Sequence, residues 1–117
     1  MDALDELIAL QQLPAAAPGT AQYTFGVVNT NARMNIRGLF LANVTGATRT
    51  ITIHHTTGGA AVAASNKRWP AISIAANTIY EIGYEDGEWT MKGGDAIYLF
   101  ADSATSVNVA MTGKGHE

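Results

Sequence analysis

The chain has no cysteine, so it holds neither a disulfide framework nor a zinc site built on thiolates. Charge is scarce as well. Asp, Glu, Lys and Arg make up 15% of the residues, against roughly 25% in an average soluble domain. The net charge of −3 argues against the basic footprint that nucleic acid requires. A surface this poor in charge suggests that a partner covers part of it, because interface cores are depleted in charge. No run approaches the roughly 18 apolar residues of a membrane helix. No basic flank precedes an apolar stretch near Met1, so ordinary secretion is not expected and no membrane partner is assigned. At 117 residues the chain fits one domain, large enough to bury a core without covalent staples.

Catalytic signatures are missing too. Gly58-Gly59 and Gly93-Gly94 do not lie between a strand and a helix, and no Lys-Ser/Thr pair follows them, so neither is a phosphate loop. There is no HExxH and no nucleophile elbow. His54 and His55 are neighbours, and on a strand they point to opposite faces and cannot share a metal; the third histidine, His116, sits in the tail. Glu81, Glu85, Asp86, Glu88 and Asp95 gather around one turn without the ligand spacing of a calcium loop, and read as solvated turn charges. The expectation is a non-enzyme with no catalytic, cofactor or metal residue.

What is present is β patterning. Leu39 to His55 carries an apolar limb, Leu39, Phe40, Leu41, Ala42 and Val44, and an alternating limb, Arg49 to His55, around the turn chemistry of Asn43, Thr45, Gly46, Ala47 and Thr48. This predicts a β-hairpin. Further strands are expected over 22–28, 34–44, 71–74, 78–84, 88–91, 95–102 and 105–113, with turns at Ala76-Asn77, Asp86-Gly87 and Asp102 to Ala104. Residues 56–66 read as a loop and the last residues, KGHE, as frayed. Short strands at this spacing predict an antiparallel β-sandwich or jelly-roll-like body over 21–117. Its expected core is Ile51, Ile53, Ile72, Ile74, Tyr80, Ile82, Ile97, Leu99, Val107, Val109 and Met111, with Trp89 inside. Tyr98 and Phe100 alternate with Ile97 and Leu99, which predicts a strand covered on both faces.

Ahead of that body, residues 2–13 predict a short helix. Asp2 caps it, Asp5 and Glu6 suit its positive end, and Leu4, Leu7 and Ile8 form an apolar stripe extended by Leu10 and Leu13. Pro14 and Gly19 end the helix in a semi-extended linker, so residues 1–20 read as a helical arm. Leu4, Leu7 and Ile8 are the arm's candidate contact residues, packing on the chain's own sheet or on a neighbour. The basic-aromatic run Lys67, Arg68, Trp69 is the second candidate contact patch, for a sugar, a base or a protein surface, or else a strand start with Trp69 in the core.

One resemblance takes the reading further. The hairpin carries Asn43, Gly46, Arg49, Thr50 and Thr52; Ile74, Ala76, Asn77 and Tyr80 follow, then Gly94, Asp95 and Ile97, then Val107, Val109 and Gly113. This order, over roughly residues 36–113, is similar to small β-sandwich proteins among the structural genes of tailed bacteriophages. The resemblance implies a virion component assembled in the host cytoplasm, most simply a capsid decoration or cement protein. Its implied partners are itself, as a small homo-oligomer such as a trimer, and the major capsid protein. The alternatives are a neck, tail or baseplate accessory, or a glycan- or receptor-binding sandwich that uses Trp69.

Overall fold

The computed structural model describes residues 6–13, 21–25, 31–57, 67, 71–85, 87–103 and 106–116, with the backbone alone for Gln11 and His116. Leu4, the 14–20 linker, the loop over 58–66, Arg68, Trp69 and Asp86 lie outside the described residues. The described residues form an all-β protein of nine strands: β1 Glu6–Gln12, β2 Tyr23–Thr24, β3 Arg33–Asn43, β4 Arg49–Thr56, β5 Ile72–Ile74, β6 Ile79–Gly83, β7 Thr90–Lys92, β8 Ala96–Ala101 and β9 Val107–His116. They pair antiparallel in two sheets. The first runs β1-β9-β3-β6, with β7 following β6 along the same side of β3; the second runs β2-β8-β4-β5.

The core lies between the sheets, as in a sandwich. Period-2 alternation sends Leu39 and Leu41 of β3 and Val107, Val109 and Met111 of β9 inward, where all five are 1% exposed or less. Ile51 and Ile53 of β4 meet them from the other side with Ile97 and Leu99 of β8. Ile74 and Trp89 are buried, and Ile72, Tyr80 and Ile82 pack against this cluster, so each residue expected in the core lies in it or against it; Leu13, Phe25, Met34, Ile36, Leu39, Leu41, Tyr84 and Met91 join them beyond that expectation.

Three local expectations fail, each for a physical reason. Residues 6–12 are a strand and not a helix. A three-turn helix is marginal alone, and propensity yields to tertiary context. Pairing with β9 from Glu6↔Gly113 to Gln12↔Asn108 satisfies the backbone and buries Ala9 and, just beyond the strand, Leu13. A bulge between Leu7 and Ala9 disturbs the alternation, so the spacing imitates a helical stripe. Gly113 admits this arrangement: a Cβ there would lie 2.8 Å from Met34 Sδ and 3.2 Å from both Asn35 O and Ile8 Cδ1.

The hairpin is the second. β3 and β4 do not pair; each belongs to a different sheet, and residues 44–48 form a corner between them. Asn43, 2% exposed, fixes the corner. Its Nδ2 donates to the carbonyls of Ala47 (2.8 Å), Ile74 (3.0 Å) and Ala75 (3.2 Å). Its Oδ1 accepts from the Thr45 amide (3.0 Å) and hydroxyl (2.7 Å). Asn77, at φ 54°, lets the β5–β6 turn donate its own amide to Thr45 O at 3.0 Å. These distant carbonyls hold the corner, and a local turn reading does not contain them. The third is the tail. Lys114, Gly115 and His116 continue β9 and pair with Asn35, Met34 and Arg33 instead of fraying.

Candidate functional site

Two features stand out once the strands are in place. One is a polar cluster between the sheets. Alternation places His54 on the outer side of β4, stacked on Phe100 at 5.8 Å and 14°, and His55 on the inner side, as expected for strand neighbours. Trp89 donates its indole N–H to His55 Nδ1 at 3.0 Å. Indole can only donate, so Nδ1 accepts and the ring proton sits on Nε2, which donates to Asp95 Oδ2 at 2.8 Å. The same carboxylate oxygen accepts from the Lys92 amide at 3.0 Å. Asp95 is buried and does not belong with the exposed turn acids Glu81, Glu85 and Glu88, which corrects its reading as a solvated charge.

A His–Asp pair is the start of a general base, but a base needs a free nitrogen facing a substrate. Here both ring nitrogens are engaged. The cluster instead joins the sheets. Trp89 O accepts from the Ile36 amide of β3 at 2.9 Å, while its indole reaches His55 of β4 and meets Tyr84 edge-on at 5.3 Å. Among the described residues no group of three or more His, Cys, Asp or Glu is placed to hold a metal ion.

The other feature is the outer face of the first sheet. Strand register lines it in three rows across β1, β9, β3 and β6: Leu10, Ala110, Phe40, Glu81; Leu7, Thr112, Gly38, Gly83; and Gln12, Asn108, Ala42, Ile79. Leu7, Leu10, Phe40 and Ile79 are exposed large apolar residues (57%, 71%, 36% and 64%), and all four fall on this one face. Glu81 alone carries a charge in these rows. Gly38 shapes the surface: a Cβ there would lie 2.7 Å from Thr112 Oγ1 and 3.0 Å from Phe40 Cε2, so the Phe40 ring lies down over the glycine. A contiguous apolar patch on a protein surface marks an interaction site.

The residues singled out from sequence divide accordingly. Leu7 stands on this outer face, while Ile8 turns to the other side of β1 and packs on the core. The two do not form the single stripe that a helix would give. Lys67 is exposed and bridges His54 through the backbone, away from this face. Leu4, Arg68 and Trp69 are outside the described residues. Phe40 and Ile79 were not singled out as contact residues, and Leu10 entered only as an extension of the arm's stripe. For Phe40 the signal was the unbroken Leu39-Phe40-Leu41-Ala42 run, since a strand that is apolar at consecutive positions offers apolar surface on both faces. Compared with protein-family models and with curated proteins, the chain matches none.

Proposed function

We propose that this chain is a structural component of a tailed-bacteriophage virion, a decoration or cement protein of the head shell, built as a jelly-roll-like sandwich and without catalytic activity. The observation that carries the reading is the strand order. With β7 set aside, one sheet takes β1, β9, β3 and β6 and the other takes β2, β8, β4 and β5. That alternation fits two interlocked Greek keys, an architecture recurrent in viral capsid and lectin domains. A fold alone is a weak warrant for function, so the sites must agree with it. They do in two respects. The positions that carry the phage-protein resemblance serve as structural pins: Asn43 in the corner, Asn77 in its turn, Asp95 in the clip and Gly113 under β1. The most prominent described surface is a flat apolar face, which suits protein contact better than turnover of a small substrate.

A cement protein binds the assembled shell and not its free subunits, and so stabilises the shell by mass action. The test is quantitative mass spectrometry of purified particles from a phage that encodes the chain. Hundreds of copies per particle support the head shell, and a few to dozens would move it to the neck, tail or baseplate. Absence from particles would sink the virion reading.

A further inference from the structure

We propose that the His55 clip is an acid-responsive joint: a proton taken up at His55 Nδ1 releases the Trp89 indole, which ties the two sheets together, and keeps the bond to Asp95, which lies within one sheet. The inference rests on the geometry of the clip and stands apart from the virion reading. Each ring nitrogen has a partner of a different kind. Trp89 Nε1 reaches Nδ1 at 3.0 Å and can only donate. Asp95 Oδ2 lies 2.8 Å from Nε2 and, as a carboxylate, can only accept. The neutral ring with its proton on Nε2 satisfies both. The imidazolium carries an N–H on each nitrogen, so it satisfies Asp95 and turns an N–H against the indole N–H. Histidine is the side chain whose charge ordinarily changes between about pH 5 and pH 8. The His55 side chain is 15% exposed, so solvent protons reach it.

The two bonds join different parts of the molecule. Asp95 leads into β8, which pairs with β4 from Ala96↔Thr56 onward, so the His55–Asp95 contact lies within the second sheet. Trp89 O accepts from the Ile36 amide of β3 at 2.9 Å, so the bond from its indole to β4 crosses from the first sheet to the second. On protonation the first contact becomes a charge-assisted pair, with the Lys92 amide on the same oxygen at 3.0 Å. The second becomes donor against donor. Acid thus undoes the tie between the sheets at this end and leaves β4 fastened to β8. The surrounding groups leave that division intact. Among the described residues, Asp95 is the only charged side chain hydrogen-bonded to the ring. Tyr23 stands in the same row beyond Ile97; burial, and then the charge of Glu6, hold its phenol above its ordinary value of 10.0, so it stays neutral in this range. On the first sheet Arg33 donates to Ala32 O at 2.8 Å, Arg37 O accepts from the Tyr84 amide at 2.8 Å, and the Lys92 side chain is exposed. Tyr84 meets the Trp89 ring edge-on, Glu85 and Glu88 are exposed on the turn before it, and Lys67 is exposed where it bridges His54.

The experiment is a pH titration of the full, isotope-labelled chain by nuclear magnetic resonance, from about pH 8 to about pH 5. It reads the ring nitrogens of His55 and the indole N–H of Trp89 in the same samples. At the high end the His55 signals should show the proton on Nε2 and a bare Nδ1. As Nδ1 takes up its proton, the Trp89 indole N–H should shift to the position of a weaker hydrogen bond, with the same midpoint as His55. Trp69→Phe tells the two indoles of the chain apart. His55→Gln, checked for folding by circular dichroism, should abolish the shift; the wild-type titration decides alone if that variant does not fold. A Trp89 signal that stays in place while His55 gains its proton overturns the proposal. So does a shift that follows His54 or His116 instead, or one that persists in folded His55→Gln. A His55 that stays neutral throughout, with the fold intact, overturns it as well and makes the clip a fixed pin.

Discussion

The two outer faces of the sandwich are opposites. On the second sheet the outward positions include His54, Thr56 and Ala96, polar or small, and all are under 9% exposed; Tyr98 and Phe100 beside them are half-buried. On the first sheet the outward positions include Leu7, Leu10, Phe40 and Ile79, all large and apolar, and all are exposed. Hydropathy alone would have assigned the cover the other way round. The difference teaches that burial of a face follows what is laid over it, not only what the face is made of. The His54–Phe100 stack gives the second face its own packing. The first face has, among the described residues, only the low cover of Phe40 over Gly38. Side chains exposed on such a face add little to the stability of the single chain.

The largest change acts on what both sheets share. Trp89→Ala empties a fully buried site and removes the donor to His55, and should cost about 3–5 kcal/mol in urea unfolding followed by circular dichroism. A cost near zero would mean that the clip does not join the sheets. Next is the corner between them. Asn43→Ala removes the amide that joins the Ala47, Ile74 and Ala75 carbonyls, of which Ala75 keeps the Thr78 hydroxyl as a donor, and should cost about 1–3 kcal/mol by the same measurement. The faces themselves come third. Phe100→Ala should cost about 1–2 kcal/mol through lost stacking and burial, whereas Leu10→Ser should stay within about 0.5 kcal/mol of wild type. Equal costs would erase the distinction between the two faces.

The smallest effect lies at the side of the sandwich where β2 and β1 approach. Burial, and then the negative charge of Glu6, raise the Tyr23 phenol above its ordinary value of 10.0. The folded state thus holds that proton more tightly than the unfolded chain. The stability it contributes is complete below the ordinary tyrosine range and is lost as pH rises through the raised folded value. Tyr23→Phe should make the alkaline decline in stability shallower. Thermal melts of both proteins from neutral to strongly alkaline pH check this, and parallel curves would count against it.

Much of this arrangement could be read from residues whose signal is local. Alternation around Ile51, Ile53, Ile97, Leu99, Val109 and Met111 located most of the strands of the body and part of the core, and Trp89 lies inside as expected, whereas the buried Ile36, Leu39, Leu41 and Met91 were not named. What stayed hidden depends on distant partners. The turn over residues 44–48 has the composition of a hairpin loop, and only the remote carbonyls that Asn43 reaches make it a corner. The His55–Asp95–Trp89 clip joins residues far apart in the chain, and nothing beside any of them announces it. At β1 a bulge disturbed the phase on which alternation depends, so Leu7 and Ile8 imitated one helical face while standing on opposite sides of a strand. The apolar outer face was visible in part, in the continuous Leu39 to Ala42 run, but its extent required the register that sets Leu10, Ala110 and Phe40 in one row.

The pairing of β1 with β9 bears on how the protein is made. β9 sits between β1 and β3, so the first sheet is divided until Val107–His116 has left the ribosome. Glu6 must wait for Gly113, and the slow search for partners so distant in sequence dominates folding rates in such topologies. Through that interval Leu7 and Leu10 belong to an unpaired strand in a crowd of identical nascent chains, where strands can exchange between copies. Rapid synthesis at high copy number would therefore test this fold most severely in its first moments, before any surface of the finished sandwich exists.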